Sequence, residues 1–333
     1  MMLVYWIFLA LTTSPRPTYS TWEEPSHEEV VRSAAAFVKA TVVDFAAEED
    51  RAGTATFKLE KRAAGIDVEP VFLVDGYSKL RLMSFTTGSF PRMRFRKGAI
   101  YWLFLERTPG SRRWKVATPE SGSAVVSDDT VRAAYHNSIR LAIVPETLYE
   151  ATQTAIFHRL HGRAVDALLM KAWAADLLAK PPAAPTGDPS SDESRLFFSQ
   201  HAALETFYYL GTESDSPKLE PFLVAKSDHV VLSALRALSR LQSIESKRRV
   251  LLLLKSDADL GSKAAAVRAL RRMNARELAD ELKALLPSLP QESAEYNLGI
   301  MDGRIGTRGL GSPRLELSAL LREWSRAKEV EKR

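Results

Sequence analysis

A repeated phrase in the second half of the chain constrains the architecture more than any other feature. The stretch SALRALSRL at residues 233–241 returns as AAVRALRRM at residues 265–273, with alanine, aliphatic residues and arginine in matching places. A third stretch, AALETFYYL at 202–210, fits the same frame one period earlier. A period of about thirty residues is typical of helical repeats, because one helix pair cannot bury its apolar side unless copies stack. The sequence therefore predicts stacked helix pairs.

Each clear copy is preceded by a segment that can form a first helix and that ends in Lys-Ser-Asp. These segments are PKLEPFLVAKSD at 217–228 and SKRRVLLLLKSD at 246–257. Lys suits the end of a helix, and Ser or Asp can cap the free amides of the next one. The order resembles HEAT-like repeats of the short bacterial type over residues 195–290. This resemblance implies an α-solenoid.

The first half carries the patterns of short strands. In TATFKLEK, at 54–61, apolar and polar residues alternate, which is typical of a strand with one buried face. AIYWLFLE, at 99–106, is apolar on both faces and predicts a strand covered on both sides. A Pro-Gly turn leads to RRWKVATP, at 112–119, where Trp114 and Val116 face one way. Short strands between turns predict a small antiparallel barrel or sandwich.

The order of these strands resembles the netrin-like domains of tissue inhibitors of metalloproteases. The stretches that carry the resemblance are FVKATVVDF, FPRMRFRKGAIYWLFLE, RRWKVATP and ESGSAVV, with Gly98, Tyr101, Phe104 and Leu105 matching the family's G-x-x-Y-x-x-F-L strand. It implies an OB-type barrel of five strands. Inhibition in that family depends on an N-terminal cysteine that binds the target's metal ion, and this chain has no cysteine. The resemblance therefore implies the fold without the inhibitory activity.

The N-terminus has the pattern of a secretory signal. The apolar run MMLVYWIFLALTT is followed by small residues, Thr18 and Ser20, at positions suited to cleavage. The run is shorter than the roughly 20 apolar residues of a membrane span. No Lys or Arg precedes it, which leaves an uncleaved tail as the alternative. We predict a secreted or periplasmic protein with no transmembrane span after cleavage.

Together these patterns predict an α+β protein of two domains, a small antiparallel OB-like β-barrel followed by an α-solenoid. With 333 residues, 45% of them hydrophobic, the chain can form two cores. The predicted segments are a signal peptide at 1–20, the OB-like β domain at 21–142, a long helix at 143–180, a linker or exposed loop at 181–193, and the HEAT-like repeat domain with a C-terminal capping helix at 194–333.

Four arginines are the first candidates for a binding surface: Arg236, Arg240, Arg268 and Arg272. The two in each helix are four residues apart and share one helix face. If the copies stack in register, the four form a basic patch for a protein or an acidic polymer. A solvated helix face that keeps the protein soluble is the plain alternative. The excess of 46 basic over 41 acidic residues is modest and does not predict nucleic acid as the partner.

The sequence offers little chemistry for catalysis. Without cysteine there is no thiolate catalysis and no cysteine-ligated metal, and we predict no catalytic residue, cofactor or metal site. His158 and His161 lie three apart in HRLH and are the alternative metal ligands, but the further ligands that zinc requires are missing from the pattern. We therefore predict a non-enzymatic binding or scaffold protein. An envelope hydrolase with its site between barrel and solenoid is the alternative, and a purely structural envelope component is another.

Overall fold

The computed structural model describes residues 26–48, 51–75, 95–116, 122–133, 142–188, 190–292 and 311–331. The predicted signal peptide at 1–20 lies outside these ranges. Within them, no helix combines the length and the hydropathy that a membrane crossing requires.

The first half of the described chain is mostly β-structure. Its one helix, α1, precedes the strands and begins with Ser26 and Glu29 in a reciprocal capping box. The elements are α1 His27–Ser33, β1 Ala36–Glu48, β2 Arg51–Gly65, β3 Val71–Asp75, β4 Ile100–Arg107, β5 Trp114–Val116, β6 Ser123–Ser127, β7 Thr130–Ala133 and β8 Ala142–Pro145.

Five of these strands close into a barrel. They pair in the order β1-β2-β3-β5-β4, β4 pairs back with β1, and β6, β7 and β8 continue from β4. The pair β3–β5 is parallel, with Val74 opposite Trp114. The prediction of a wholly antiparallel barrel is therefore wrong in this pair. An odd number of strands cannot alternate in direction around a closed ring, so one pair must be parallel.

Strand β4 faces two cores, which explains its unbroken apolar sequence. Tyr101, Leu103 and Leu105 point into the barrel, where they meet Phe57 of β2. Trp102 and Phe104 point outward and join the core formed with the helices. The predicted two-sided burial is confirmed, since every residue from Tyr101 to Leu105 is buried.

Gly65, at the end of β2, supports a close approach of two backbone segments. Its φ of +90° is one that L side chains rarely adopt, and a Cβ atom there would lie 2.2 Å from the carbonyl oxygen of Ala35. We expect Gly65→Ala to lower the free energy of unfolding by about 2 kcal/mol. The matched control is Gly110→Ala, because Gly110 also has a positive φ, +72°, but nothing lies within 4 Å of its added Cβ. Equal losses in urea denaturation would contradict this explanation.

The second half of the described chain is helical. Short 3₁₀ turns at Glu213–Asp215, Glu220–Val224, Arg276–Leu278 and Leu286–Ser288 separate or extend the helices. The α-helices are α2 Glu146–Leu160, α3 Leu168–Leu178, α4 Asp192–Leu210, α5 Ser216–Leu219, α6 Asp228–Leu238, α7 Ile244–Lys255, α8 Leu260–Arg272, α9 Ala279–Leu285 and α10 Pro313–Glu331. The α+β class is confirmed.

The single long helix predicted at 143–180 is wrong. The segment begins in strand β8 and then forms two helices, α2 and α3. Gly162 follows the end of α2 and has a φ of +73°. This left-handed conformation ends a helix, and glycine adopts it without steric cost. The apolar spacing continues across this break, so periodicity alone did not reveal it.

Helices α4, α6, α8 and α10 pack one against the next in chain order. Their common core includes Leu204, Leu235, Val267 and Leu320, one from each helix. Helix α10 begins at Pro313, and the hydroxyl of Ser312 accepts a hydrogen bond from the backbone N–H of Leu315 at 3.4 Å. Helix α10 packs against α8 and is the last described helix of this row.

The predicted linker at 181–193 runs along α4. The buried side chain of Gln200 accepts a hydrogen bond from the backbone of Ala183 and donates to the carbonyl oxygens of Leu177, Lys180 and Pro181. Most of the described residues between 181 and 193 are exposed, as expected of a loop. Gln200 holds the loop in place.

Barrel and helices share a hydrophobic core. Phe37 and Phe104 of the barrel belong to the same buried cluster as Phe157 of α2 and Leu210 of α4. Helix α1 lies at this junction, where Nε2 of His27 donates a hydrogen bond to the side-chain oxygen of Gln153 on α2 at 2.8 Å.

Candidate functional site: the arginine cluster

The four predicted arginines, here called the arginine cluster, lie where α6 packs on α8. Arg236, Arg268 and Arg272 line one small cleft between the two helices. Arg240 lies just past the end of α6 and reaches the cluster through Tyr208, over whose ring it lies. The cleft has a volume of ≈ 10 Å³, which is about the room that one water-sized group needs. It is therefore suited to a single polar group at the surface and not to a small molecule.

Arg236 belongs to the interior. It is 8% exposed, its Nε lies 3.2 Å from a carboxylate oxygen of the fully buried Glu205, and it donates to the hydroxyl of Tyr209 at 3.4 Å. Its guanidinium also lies over the ring of Tyr208, 4.0 Å from the centroid. Burial alone would lower the pKa of Arg236, but the negative charge of Glu205 raises it overall. Arg236 joins α4 to α6 and is not placed as a surface contact.

Arg240 pairs with Glu28 of helix α1. The same carboxylate accepts a hydrogen bond from the hydroxyl of Tyr208 at 3.0 Å and from Arg32 at 2.9 Å. Burial raises the pKa of Glu28, but the hydrogen bond from Arg32 and the charge of Arg240 outweigh it and hold that pKa below its usual value. The cluster thus already holds one carboxylate, supplied from the barrel side of the molecule.

Arg268 pairs with the last helix. Its Nη2 lies 2.6 Å from the carboxylate of Glu316 on α10. The neighbouring Arg271 lies 3.3 Å from Glu323 of the same helix. These ion pairs tie α8 to α10.

Arg272 differs from the other three. Among the described residues, none forms an ion pair or a hydrogen bond with its guanidinium. Although the residue as a whole is exposed, partial loss of hydration and then the positive charges of Arg236 and Arg268 lower the pKa of Arg272. An arginine still stays protonated at physiological pH. Arg272 therefore presents a positive charge with no described counter-ion.

The sequence indicated the arginines but not the acidic side chains that pair with them: Glu28, Glu205 and Glu316. One signal was present, since Glu205 lies thirty-one residues before Arg236, which is about one repeat period. An acidic and a basic residue one period apart fall on neighbouring helices of a stack. Nothing local pointed to Glu28, which is 212 residues from Arg240.

The two candidate histidines do not share a site. The ring of His161 stacks on Phe157 with centroids 4.1 Å apart, and its Nε2 lies 3.0 Å from the carbonyl oxygen of Val31. His158 lines a separate cavity, where loss of hydration and then the charge of Arg163 lower its pKa. Within the described ranges, no group of three His, Asp or Glu side chains is arranged to hold a metal ion.

The cavity beside His158 lies between β2, α2 and α3, where barrel and helices meet. Its volume is ≈ 590 Å³, within the range of about 300–1,000 Å³ that is usual for small-molecule sites. Glu150 also lines it but is paired with Lys61. In the part of the chain that the structure describes, the His158 ring has no hydrogen-bond partner that could serve as a nucleophile or orient it as a base. The cavity could admit a ligand, but it contains no assembled catalytic pair of described residues.

Comparison with known proteins finds no family model, no curated protein and no solved structure that matches this chain.

Proposed function

We propose that this chain is a non-enzymatic binding protein of the cell envelope or the extracellular space. Helices α4, α6, α8 and α10, packed in chain order, support a HEAT-like α-solenoid, and the strand order β1-β2-β3-β5-β4 supports an OB-type barrel. Solenoids present extended surfaces to other proteins. The partner is a protein with an acidic segment, bound on the face that carries the arginine cluster.

Arg272 is the observation that carries this proposal. Its positive charge faces other positive charges and has no described carboxylate partner. The arginine cluster already binds one carboxylate of the same chain, because Arg240 and Tyr208 contact the side chain of Glu28. A carboxylate from another chain at Arg272 would relieve the repulsion within the cluster and gain charge-assisted hydrogen bonds.

Replacing Arg272 with glutamate tests the proposal. We expect Arg272→Glu to weaken the binding of a fluorescein-labelled oligoglutamate peptide about tenfold, because the variant repels the carboxylate that the native residue attracts. Fluorescence anisotropy at two salt concentrations measures the affinity, and the loss should be smaller at high salt.

The matched control is Arg248→Glu. Arg248 is an exposed arginine on α7 with no described partner, so its reversal changes the net charge equally. If both variants weaken binding to the same extent, the peptide senses only net charge, and the arginine cluster is not the site.

The cavity beside His158 gives the alternative, an envelope hydrolase, one observation in its favour. Its volume and position at the barrel–helix junction suit a small ligand. The ion pair of Glu150 with Lys61 and the lack of a described partner for His158 argue against hydrolysis. A binding protein remains the better-supported function.

A further inference from the structure

A second cationic groove lies at the far end of the helical half. It runs between α10 and the segment formed by the 3₁₀ turn Arg276–Leu278 and helix α9, with a volume of ≈ 900 Å³. This volume is that of a site for a large ligand or a short peptide segment. It shares no lining residue with the cleft at Arg272.

The groove carries a clear excess of positive charge. Four cationic side chains line it against one carboxylate, Asp280, and the cations are Arg276, Lys283, Arg322 and Arg326. Among the described residues, none forms an ion pair with Lys283, Arg322 or Arg326. Arg322 and Arg326 are four residues apart and so share one face of α10, while Lys283 lies on the opposite wall. Both walls therefore present positive charge to whatever lies between them.

Apolar side chains lie between the charged ones. Leu286, Leu321 and Trp324 line the same groove, and Trp324 is 7% exposed. Interfaces are enriched in aromatic side chains and arginine. A groove with both suits a peptide that has one apolar side chain between acidic residues. Such a surface is poorly matched to a purely polar anion.

We propose that the α9–α10 groove binds an acidic peptide segment of a partner protein, with one apolar side chain seated against Trp324 and carboxylates on both sides paired with Lys283, Arg322 and Arg326. The cations lie on both walls, which suits charges distributed along a chain better than a single anionic head group. The formal net charge of +5 disfavours a second copy of this chain as the occupant.

This groove is independent of the Arg272 proposal, and each can fail without the other.

Titration with an unlabelled acidic peptide that carries one leucine tests the groove. Trp324 supplies a local signal, isolated from the other five of the six tryptophans by comparison with Trp324→Phe. In the native chain we expect the fluorescence emission of Trp324 to change as peptide is added and to level off when the groove is saturated. We expect the double variant Arg322→Glu/Arg326→Glu to weaken the binding of the peptide about 100-fold. A peptide with serine in place of the leucine should bind more weakly, and Arg272→Glu should leave this titration unchanged.

Arg248→Glu/Lys226→Glu is the matched control for the double charge reversal, because both residues are exposed and neither lines the groove. Unfolding temperatures confirm that each variant folds, which is expected since the reversed residues are exposed. The inference is overturned if the Trp324 signal does not change, or if the two double variants weaken binding equally. It is also overturned if sedimentation reveals a dimer that Arg322→Glu/Arg326→Glu dissociates, because the occupant would then be a second copy.

Discussion

Replacement of Arg236 with methionine is expected to lower the free energy of unfolding by about 3–5 kcal/mol, since it leaves a buried carboxylate without its counter-ion. Glu205 is fully buried, and Arg236 is its ion-pair partner on the neighbouring helix. Methionine preserves most of the side-chain volume, so the loss reflects the unpaired charge more than a cavity. Urea denaturation followed by circular dichroism measures the change.

Two further variants separate charge from packing. Arg249→Met removes an ion pair with Glu220, a carboxylate 52% exposed, and should cost less than about 1 kcal/mol. The double variant Arg236→Met/Glu205→Leu should recover much of the loss, since it leaves no buried charge. If Arg236→Met costs no more than Arg249→Met, the pair does not stabilise the packing of α4 on α6.

Acidification is expected to destabilise the junction of barrel and helices through His27. This histidine is 2% exposed, with its ring against Phe104 of β4 and Tyr209 of α4, and a hydrogen bond to Gln153 of α2. Burial lowers its pKa from 6.5 to about 4, and the positive charge of Arg236 contributes further. The folded protein therefore keeps His27 neutral.

The sign of the pH dependence follows from this lowered pKa. Between pH 6.5 and about 4 the unfolded chain takes up a proton on His27 that the folded chain does not, so stability falls as pH falls. Above pH 6.5 the contribution of neutral His27 to the free energy of unfolding is fully present. Its complete loss at low pH amounts to about 3 kcal/mol.

His27→Gln isolates this contribution, because glutamine can keep the hydrogen bond to Gln153 but does not titrate. We expect the difference in unfolding free energy between the native chain and the variant to shift by about 3 kcal/mol between pH 7 and pH 4. A constant difference across this range would mean that His27 titrates alike in both states.

The sequence reveals most where the information is local. Alternation in β2 and two-sided burial in β4 are both visible in short windows of the sequence, and the structure confirms both. The repeat period also identified α6 and α8 as neighbours, because equivalent apolar faces must cover each other.

What the sequence did not reveal depends on contacts between distant segments. Closure of the barrel through the parallel pair β3–β5 has no local signature. The partners of the arginines come from α1, α4 and α10, and the pairing of Glu28 with Arg240 joins opposite halves of the chain. Three of the four arginines, Arg236, Arg240 and Arg268, thus make contacts within the chain, and a helix-face pattern cannot distinguish such contacts from a binding surface.

The most direct test of the proposed function observes Arg272 itself during binding. In a nitrogen-15 NMR titration with oligoglutamate, the side-chain Nε resonance of Arg272 should shift with saturation while that of Arg248 stays in place. The buried Arg236 should respond little, because Glu205 already neutralises it. If the Arg272 resonance does not move, or if Arg248 shifts in parallel with it, acidic partners do not bind at the arginine cluster.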